Sequence, residues 1–195
     1  MCGCGIIKTC KLNKPMSNKK YNIIYADPPW SYNDKLLGKS GACNKYDVMD
    51  LQSICNLNIS QIAADNCILF MWVTMPHLED AFKVISSWGF TYKTCAFTWI
   101  KQNKKSDSLF WGLGRWTRSN PELCLLAIRG KPKAISHSVH SVILSKLEEH
   151  SKKPDETRDR IIQLCGDLPR IELFARQKTE GWDVFGNEVE SDIQL

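Results

Sequence analysis

Short apolar runs of strand length alternate along the chain with segments that carry a helical spacing of apolar positions. The first run, Tyr21–Ala26, is largely apolar and is followed by two prolines, which is typical of a strand buried on both faces of a parallel sheet. The same pattern predicts further strands at residues 67–73, 94–100, 122–129, 142–144 and 171–175.

Helix signals fall between these runs. Asp50 can cap a short helix that starts at Leu51. Thr74 can cap the clearest helix, which stops at Gly89 and has one apolar face formed by Leu78, Ala81, Phe82, Ile85 and Trp88. Pro154 suits the first position of a third helix, and Gly166 suits its end. This alternation predicts an α/β domain with a mostly parallel sheet, helices on both faces, and ligands bound at the carboxyl ends of the strands.

The composition is that of an ordinary globular protein. The chain has 195 residues, of which 43% are hydrophobic and 24% charged, enough for one well-cored domain. We expect that domain at residues 21–195, after a basic, loosely attached arm at residues 1–20 that carries Lys8, Lys11, Lys14, Lys19 and Lys20.

Two further patterns bear on the location of the protein. No apolar run approaches the roughly 20 residues that a membrane-spanning helix needs. The first residues also lack the basic start and apolar stretch of a signal peptide. We therefore expect no membrane association and a location inside the cell, which means the cytoplasm or, in a eukaryote, the nucleus.

The cysteines predict neither a disulfide framework nor a metal centre. They number nine, and most are scattered singly through apolar segments, as reduced core residues are. Cys2, Cys4 and Cys10 form a cluster, but they have no evident fourth ligand and lack the usual spacing of zinc ligands. We expect no metal.

The segment Asp27-Pro28-Pro29-Trp30 follows directly on the first predicted strand, at the end of the strand where a parallel sheet places its active site. Two prolines stiffen the backbone. A carboxylate and an aromatic ring on such a turn can grip a planar ligand that carries an amino group. The alternative is a structural loop in which Asp27 caps a helix and Trp30 fills the core.

Several further segments favour the first interpretation, because together with this tetrapeptide they resemble one family in the same order along the chain. These segments lie at residues 46–49, 69–74, 99–101, 114–122, 150–156, 170–176 and 181–188. They resemble the messenger-RNA-adenosine-methyltransferase-like (MTA-type) family of adenine N(6)-methyltransferases, and the resemblance covers roughly residues 21–188. It implies a Rossmann-like methyltransferase domain with circularly permuted motif order, the catalytic motif being N-terminal and the motif for S-adenosylmethionine C-terminal.

The resemblance also implies roles for individual residues. Asp27 and the Pro28 carbonyl would accept the two amino hydrogens of adenine, while Trp30, with Pro29, would stack on the base. The pocket for S-adenosylmethionine would be formed by Asp27, Lys153, Leu173, Phe174, Arg176, Asn187 and Glu188, the last two holding the ribose hydroxyls. Ion pairing is the alternative role for Lys153 and Arg176, and core packing for Leu173 and Phe174. No residue can be assigned to the amino group of the cofactor's own adenine.

The long polar segment at residues 101–121 carries the candidate nucleic-acid contacts. Its basic residues predict a phosphate track, although a solvated charged loop explains them nearly as well. The candidate substrate residues are Tyr46, Lys101, Lys104, Lys105, Arg115, Trp116, Arg118 and Asn120. Nucleic acid is the predicted substrate, with DNA favoured over RNA although no motif separates them. A homo-oligomer or a partner protein is a further candidate for target recognition.

Two other functions fit parts of the pattern. The same acidic motif serves methylation of the cytosine amine or of a glutamine amide, but those relatives typically carry Ser-Pro-Pro-Tyr or Asn-Pro-Pro-Tyr, which Trp30 argues against. Some members of the family have lost activity and serve as nucleic-acid-binding scaffolds. The intact Asp27 motif and Asn187 argue against that role.

Overall fold

Seven strands form one sheet in the computed structural model, which describes residues 19–31, 48–114, 116–149 and 151–195. The strands are β1 (Tyr21–Ala26), β2 (Ala63–Val73), β3 (Thr91–Gln102), β4 (Glu122–Arg129), β5 (Val142–Lys146), β6 (Arg170–Leu173) and β7 (Asp183–Phe185). Their order across the sheet is β5-β3-β4-β2-β1-β6-β7, and β4 alone runs antiparallel to its two neighbours. The predicted mostly parallel sheet is confirmed, and β7 is a strand that the sequence pattern did not predict.

Helices cover both faces of this sheet, as predicted. The described residues form α1 (Leu51–Cys55), α2 (Leu78–Ser87) and α3 (Glu156–Cys165), with short 3-10 turns at Ile59–Gln61 and Met75–His77. Helices α1 and α2 contribute Ile54 and Val84 to the core on one face, whereas α3 contributes Ile161 to the core on the other. The circular permutation of motif order stays a prediction.

Strand β1 lies near the centre of the sheet between β2 and β6. Ile24 and Ala26 pack into the core on the side of α1 and α2. Ile23 and Tyr25 pack into the core on the side of α3. Burial on both faces is the physical reason why this strand reads as an almost continuous apolar run.

The helix ends follow the sequence signals only in part. Asp50 caps α1, since its carboxylate accepts hydrogen bonds from the Ser53 amide at 2.9 Å and the Ser53 hydroxyl at 2.7 Å. Gly89 ends α2 with a φ of 80°, as predicted. The predicted Thr74 cap of α2 is wrong: a 3-10 turn intervenes, and Thr74 makes no side-chain capping hydrogen bond.

Two smaller corrections concern α2 and α3. Phe82 of α2 is exposed instead of joining the apolar face, and its ring packs edge-on against Tyr92. Helix α3 begins at Glu156, so Pro154 precedes the helix, where its carbonyl accepts the Thr157 amide at 3.1 Å. Gly166 ends α3 with a φ of 91°, as predicted.

The basic arm and the cysteine cluster lie almost wholly outside the described residues. Of the arm's lysines, Lys19 and Lys20 are described, and Lys19 pairs with Asp183 of β7 at 2.6 Å. The cysteines in the described ranges include no disulfide: Cys55, Cys67, Cys95, Cys124 and Cys165 are free thiols. No helix in these ranges is long and apolar enough to cross a membrane.

Candidate active site

The sheet changes winding direction between β1 and β6. These strands are neighbours, but the chain leaves β1 toward β2 and leaves β6 toward β7, on the other side. A crevice opens at such a point, outside the carboxyl ends of the strands. Here it is a cleft of about 1080 Å³, lined among others by Asp27, Pro29, Lys101, Glu122, Lys153 and Phe174.

The antiparallel direction of β4 brings an acid to this edge. Because β4 runs against its neighbours, its start lies near their carboxyl ends: Glu122 pairs in register with Trp99 of β3, and Leu123 with Val73 of β2. Lys153 arrives from the segment just before α3. Residues far apart in the chain thus meet at one edge of the sheet.

The turn after β1 holds the Asp27 backbone in place. The Trp30 amide donates to the Pro28 carbonyl at 2.9 Å, and the Met49 amide donates to the Pro29 carbonyl at 3.1 Å. The two prolines supply two fixed φ angles. Asp27, at the cleft, therefore lies on a backbone that is fixed at both ends.

Trp30 is not displayed in the way that the sequence suggested. Only 8% of the residue is exposed, its indole N–H donates to the Trp72 carbonyl at 3.2 Å, and its ring stacks on His77. The ring belongs to the core beside α2. Trp30 still belongs to the lining of the cleft, but its burial favours the alternative of a core-filling ring over an open face that stacks on a base.

A chain of charges crosses the floor of the cleft. The Lys153 ammonium lies 2.7 Å from Asp27 Oδ2 and 3.4 Å from Glu122 Oε2, and it also donates to the Ser151 carbonyl at 3.3 Å. Lys101 in turn pairs with the other oxygen of Glu122. The Lys153 ammonium is therefore surrounded by three oxygen atoms, and its side chain is only 8% exposed.

These contacts set the proton affinities in the cleft. Burial raises the pKa of Asp27, and Lys153 opposes that rise. Burial acts to lower the pKa of Lys153, but Asp27 and Glu122 outweigh it and raise this pKa to about 12. For Glu122, burial acts to raise the pKa, yet Lys153 and Lys101 lower it overall. At neutral pH Lys153 is therefore a cation held between two acids, of which Asp27 is the one with a raised pKa.

A second buried ion pair supports the cleft. Arg158 of α3 donates two hydrogen bonds of 2.8 Å each to the Glu172 carboxylate of β6, and its guanidinium lies over the ring of Tyr25. Burial raises the pKa of Glu172, against the lowering effect of Arg158. This pair ties α3 to the sheet beside Asp27, so it fixes the position of the segment that carries Lys153.

Two non-glycine residues among those described have a left-handed backbone conformation, and both lie at the cleft. Ser151 has a φ of 63° and Phe174 a φ of 62°. Such conformations are strained for residues with a Cβ, and they cluster at functional sites. Phe174 lines the cleft, whereas Leu173 is buried in the core and is not among the lining residues. The roles of both toward the cofactor stay predictions.

The remaining cofactor candidates meet on the opposite wall. The Ala175 amide donates to the Phe185 carbonyl at 3.0 Å, and a Cβ on Gly186 would lie 2.0 Å from the Ala175 oxygen. This close approach places Arg176 next to the turn of Asn187 and Glu188, where the Arg176 and Glu188 side chains are 3.4 Å apart. Cations, an amide, carboxylates and the Phe174 ring therefore line one cleft.

The predicted substrate residues separate into groups. Lys101 lies in the cleft but is paired with Glu122. Asn120 is buried. Its side-chain amide donates to the Lys101 carbonyl and accepts from the Lys101 amide, each at 2.9 Å, so it holds the base of the long segment in place. Four residues are exposed and outside the cleft lining, namely Lys104, Lys105, Trp116 and Arg118. Tyr46 and Arg115 lie outside the described residues.

Sequence reasoning missed Glu122, Arg158 and Glu172 as site residues. A usable signal was present, because Glu122 and Glu172 are carboxylates at or within strands that are otherwise apolar. A charge in such a strand is rare unless it is paired. The partners could not be identified from the sequence.

The fold and the cleft define an α/β protein of the methyltransferase-like class: a mostly parallel sheet, covered on both faces, with an acidic Pro-Pro turn at its switch point. The MT-A70 family model matches residues 21–188. The chain belongs to the MT-A70 family.

Named relatives show different degrees of coverage. The chain is 35% identical to the type II methyltransferase M.MunI of Mycoplasma sp, over 89% of this chain and 80% of that protein. It is 27% identical to the N(6)-adenosine-methyltransferase catalytic subunit METTL3 of Homo sapiens, over 88% and 28% of the two chains. It is also 27% identical to the N(6)-adenosine-methyltransferase MT-A70-like of Arabidopsis thaliana, over 87% of this chain and 24% of that protein. The chain thus spans about a quarter of the length of these plant and animal relatives.

Proposed function

We propose that this protein transfers a methyl group from S-adenosylmethionine to the 6-amino group of adenine in nucleic acid. The observation that carries the proposal is the Asp27 carboxylate at the switch-point cleft, on a turn fixed by two prolines and held by a lysine. Membership of the MT-A70 family supports the same reaction.

The residues around the cleft suit this cofactor. Asn187 and Glu188 offer an amide and a carboxylate for paired ribose hydroxyls, and Arg176 offers a cation for the cofactor's carboxylate. Lys153, whose ammonium already contacts three protein oxygens, adds positive charge to the pocket. Phe174 offers an aromatic wall for the cofactor's adenine. S-adenosylmethionine supplies an electrophilic methyl group on a positively charged sulfur.

The protein's part in the chemistry is to orient and polarise the amine. The lone pair of the adenine amino nitrogen is delocalised into the ring, so this nitrogen is a weak nucleophile until it pyramidalises. Asp27 Oδ1 and the Pro28 carbonyl are the acceptors we assign to its two hydrogens, since Lys153 already bonds Asp27 Oδ2. These acceptors stabilise the positive charge that develops on the nitrogen. No covalent enzyme intermediate is needed.

Trp30 then has a positioning role. Its buried ring fixes the end of the Asp27 turn against Trp72 and His77. Stacking on the adenine falls to Pro29 instead, which remains partly exposed at the cleft.

DNA is the favoured substrate within this proposal. The relative with the higher identity and the larger share of matched length is named a type II methyltransferase, without the ribonucleoside name that the plant and animal relatives carry. The human relative is named a catalytic subunit, and a partner or second copy that helps in target recognition stays a prediction.

A labelled-methyl assay on matched oligonucleotides tests the reaction. We expect label in oligonucleotides whose only base with an amino group is adenine, and none where cytosine replaces adenine. Label in cytosine alone would contradict the proposal. Calorimetry with S-adenosylmethionine separates an enzyme from a scaffold, because a scaffold that has lost its cofactor pocket would give no binding heat.

A further inference from the structure

The segment between β3 and β4 carries three exposed apolar side chains, Trp111, Leu113 and Trp116, which we call the tip. Trp116 is 98% exposed, Leu113 90% and Trp111 58%. Large apolar side chains are seldom left this open together unless they serve as a contact surface.

This tip is held in place by its own backbone. The Gly112 amide donates to the Ser119 carbonyl at 2.7 Å, and Gln102 bridges to Leu109 further down. A Cβ on Gly114 would lie 2.1 Å from the Thr117 oxygen, so the chain turns back closely there. At the base, the buried Asn120 amide is bonded to the Lys101 backbone. The described residues on both sides of the tip are therefore held by backbone and side-chain hydrogen bonds, which lowers the entropy cost of binding.

Three exposed cations lie in the same segment as the tip. Lys104, Lys105 and Arg118 are exposed and form no ion pair within the described ranges of the chain. The acid of this segment, Asp107, is already paired with Lys146 at 3.0 Å. The segment thus combines exposed indole rings with cations that no described acid pairs.

We propose that this tip binds an unpaired stretch of the nucleic-acid strand, with bases stacked on Trp111 and Trp116 and phosphates held by Lys104, Lys105 and Arg118. Indole faces stack on any base, and cations follow the backbone, so the pairing of the two is the chemistry of single-strand binding. Binding of a protein partner would not account for these cations, whereas binding of a nucleic-acid strand does. The inference rests on the proposed function for the identity of the substrate, and both ends of the segment, Lys101 and Glu122, lie in the cleft.

The test measures strand affinity of the full chain, without cofactor, by fluorescence anisotropy of a labelled single-stranded oligonucleotide. Trp111→Ala and Trp116→Ala should each weaken binding about 5- to 150-fold, which is the range for loss of one stacked base, without changing its salt dependence. Trp116→Phe should restore most of the affinity. The triple change of Lys104, Lys105 and Arg118 to Ala should instead reduce the slope of log affinity against log salt by about 0.7 for each phosphate that the variant no longer neutralises.

Tyr92→Ala is the matched control, because Tyr92 is a partly exposed aromatic residue near the start of β3, at the other end of the strand from the cleft. It should leave strand affinity unchanged. Unchanged affinity in both tryptophan variants would overturn the proposal and leave a protein partner as the occupant of the tip. So would equal losses for Tyr92→Ala.

The two proposals fail in different ways. A wild-type chain that binds the strand through the tip but methylates no adenine would refute the proposed function and leave this inference standing. Adenine methylation with unchanged strand affinity in the tryptophan variants would do the reverse.

Discussion

Replacing Lys153 with Met removes the cation that holds the Asp27 carboxylate and keeps an unbranched side chain of similar length beside Trp72. At 2.7 Å, unit charges attract by roughly 6 kcal/mol at an effective dielectric constant of about 20, before the cost of burying both. Breaking a buried pair by removing one partner costs about 3–5 kcal/mol, because the remaining charge is left uncompensated. Asp27 then relieves that cost by binding a proton.

The variant should therefore lose turnover in a pH-dependent way. Lys153 lowers the pKa of Asp27, so its removal raises this pKa further. The acid limb of kcat should move to higher pH, and turnover near neutral pH should fall about a hundredfold, as for loss of one preorganised group. The loss of unfolding free energy should be smaller in acid than at neutral pH, since protonated Asp27 needs no cation.

The Glu122→Gln variant should shift the acid limb of kcat in the opposite direction. Glu122 raises the pKa of Asp27, so its neutralisation should move the acid limb to lower pH, with a smaller loss of kcat. Both profiles are measured at saturating cofactor, so that any contact between Lys153 and the cofactor enters the binding constant and not kcat. Lys83→Met on the exposed face of α2 is the control for loss of one surface lysine. The reasoning is refuted if the Lys153→Met and Glu122→Gln limbs stay where the wild-type limb lies.

Three further substitutions probe separate parts of the site. Asp27→Ala should reduce transfer about a hundredfold or more while cofactor affinity by calorimetry stays within several-fold, and near-native turnover would count against the assigned role. Asn187→Ala should weaken cofactor binding in the same assay, and unchanged affinity would remove Asn187 from the pocket. Gly186→Ala should weaken cofactor binding and lower the Tm, because the new Cβ would meet the Ala175 oxygen at 2.0 Å. An unchanged Tm would show that the turn relaxes freely.

The sheet was the most predictable part of the molecule. Strands β1 and β4 have the bounds that the apolar runs indicated, because residues buried on both faces leave an unbroken signal. Strand β7 was missed since it has only three residues. The Thr74 cap failed because Met75–His77 forms a 3-10 turn before α2, a local choice that residue preferences do not resolve.

Some residues of the candidate site could be predicted from the sequence, but the contacts between them could not. Asp27 could be found because it follows a buried strand directly. Its partner Lys153 lies 126 residues away in sequence, and their contact depends on the strand order. Glu122 reaches the cleft because β4 is antiparallel, a direction that periodicity does not encode. The burial of Trp30 could not be predicted either, since an aromatic residue after a strand suits the core as well as a ligand.

The most direct test of the central claim is mass spectrometry of nucleosides after incubation with S-adenosylmethionine that carries a deuterated methyl group. Separate DNA and RNA pools are exposed to the wild type and to Asp27→Ala. The wild type should place a deuterated methyl group on the 6-amino nitrogen of adenine, most abundantly in DNA, and Asp27→Ala should place essentially none. Label on cytosine alone, or equal label on adenine with both proteins, would contradict the claim.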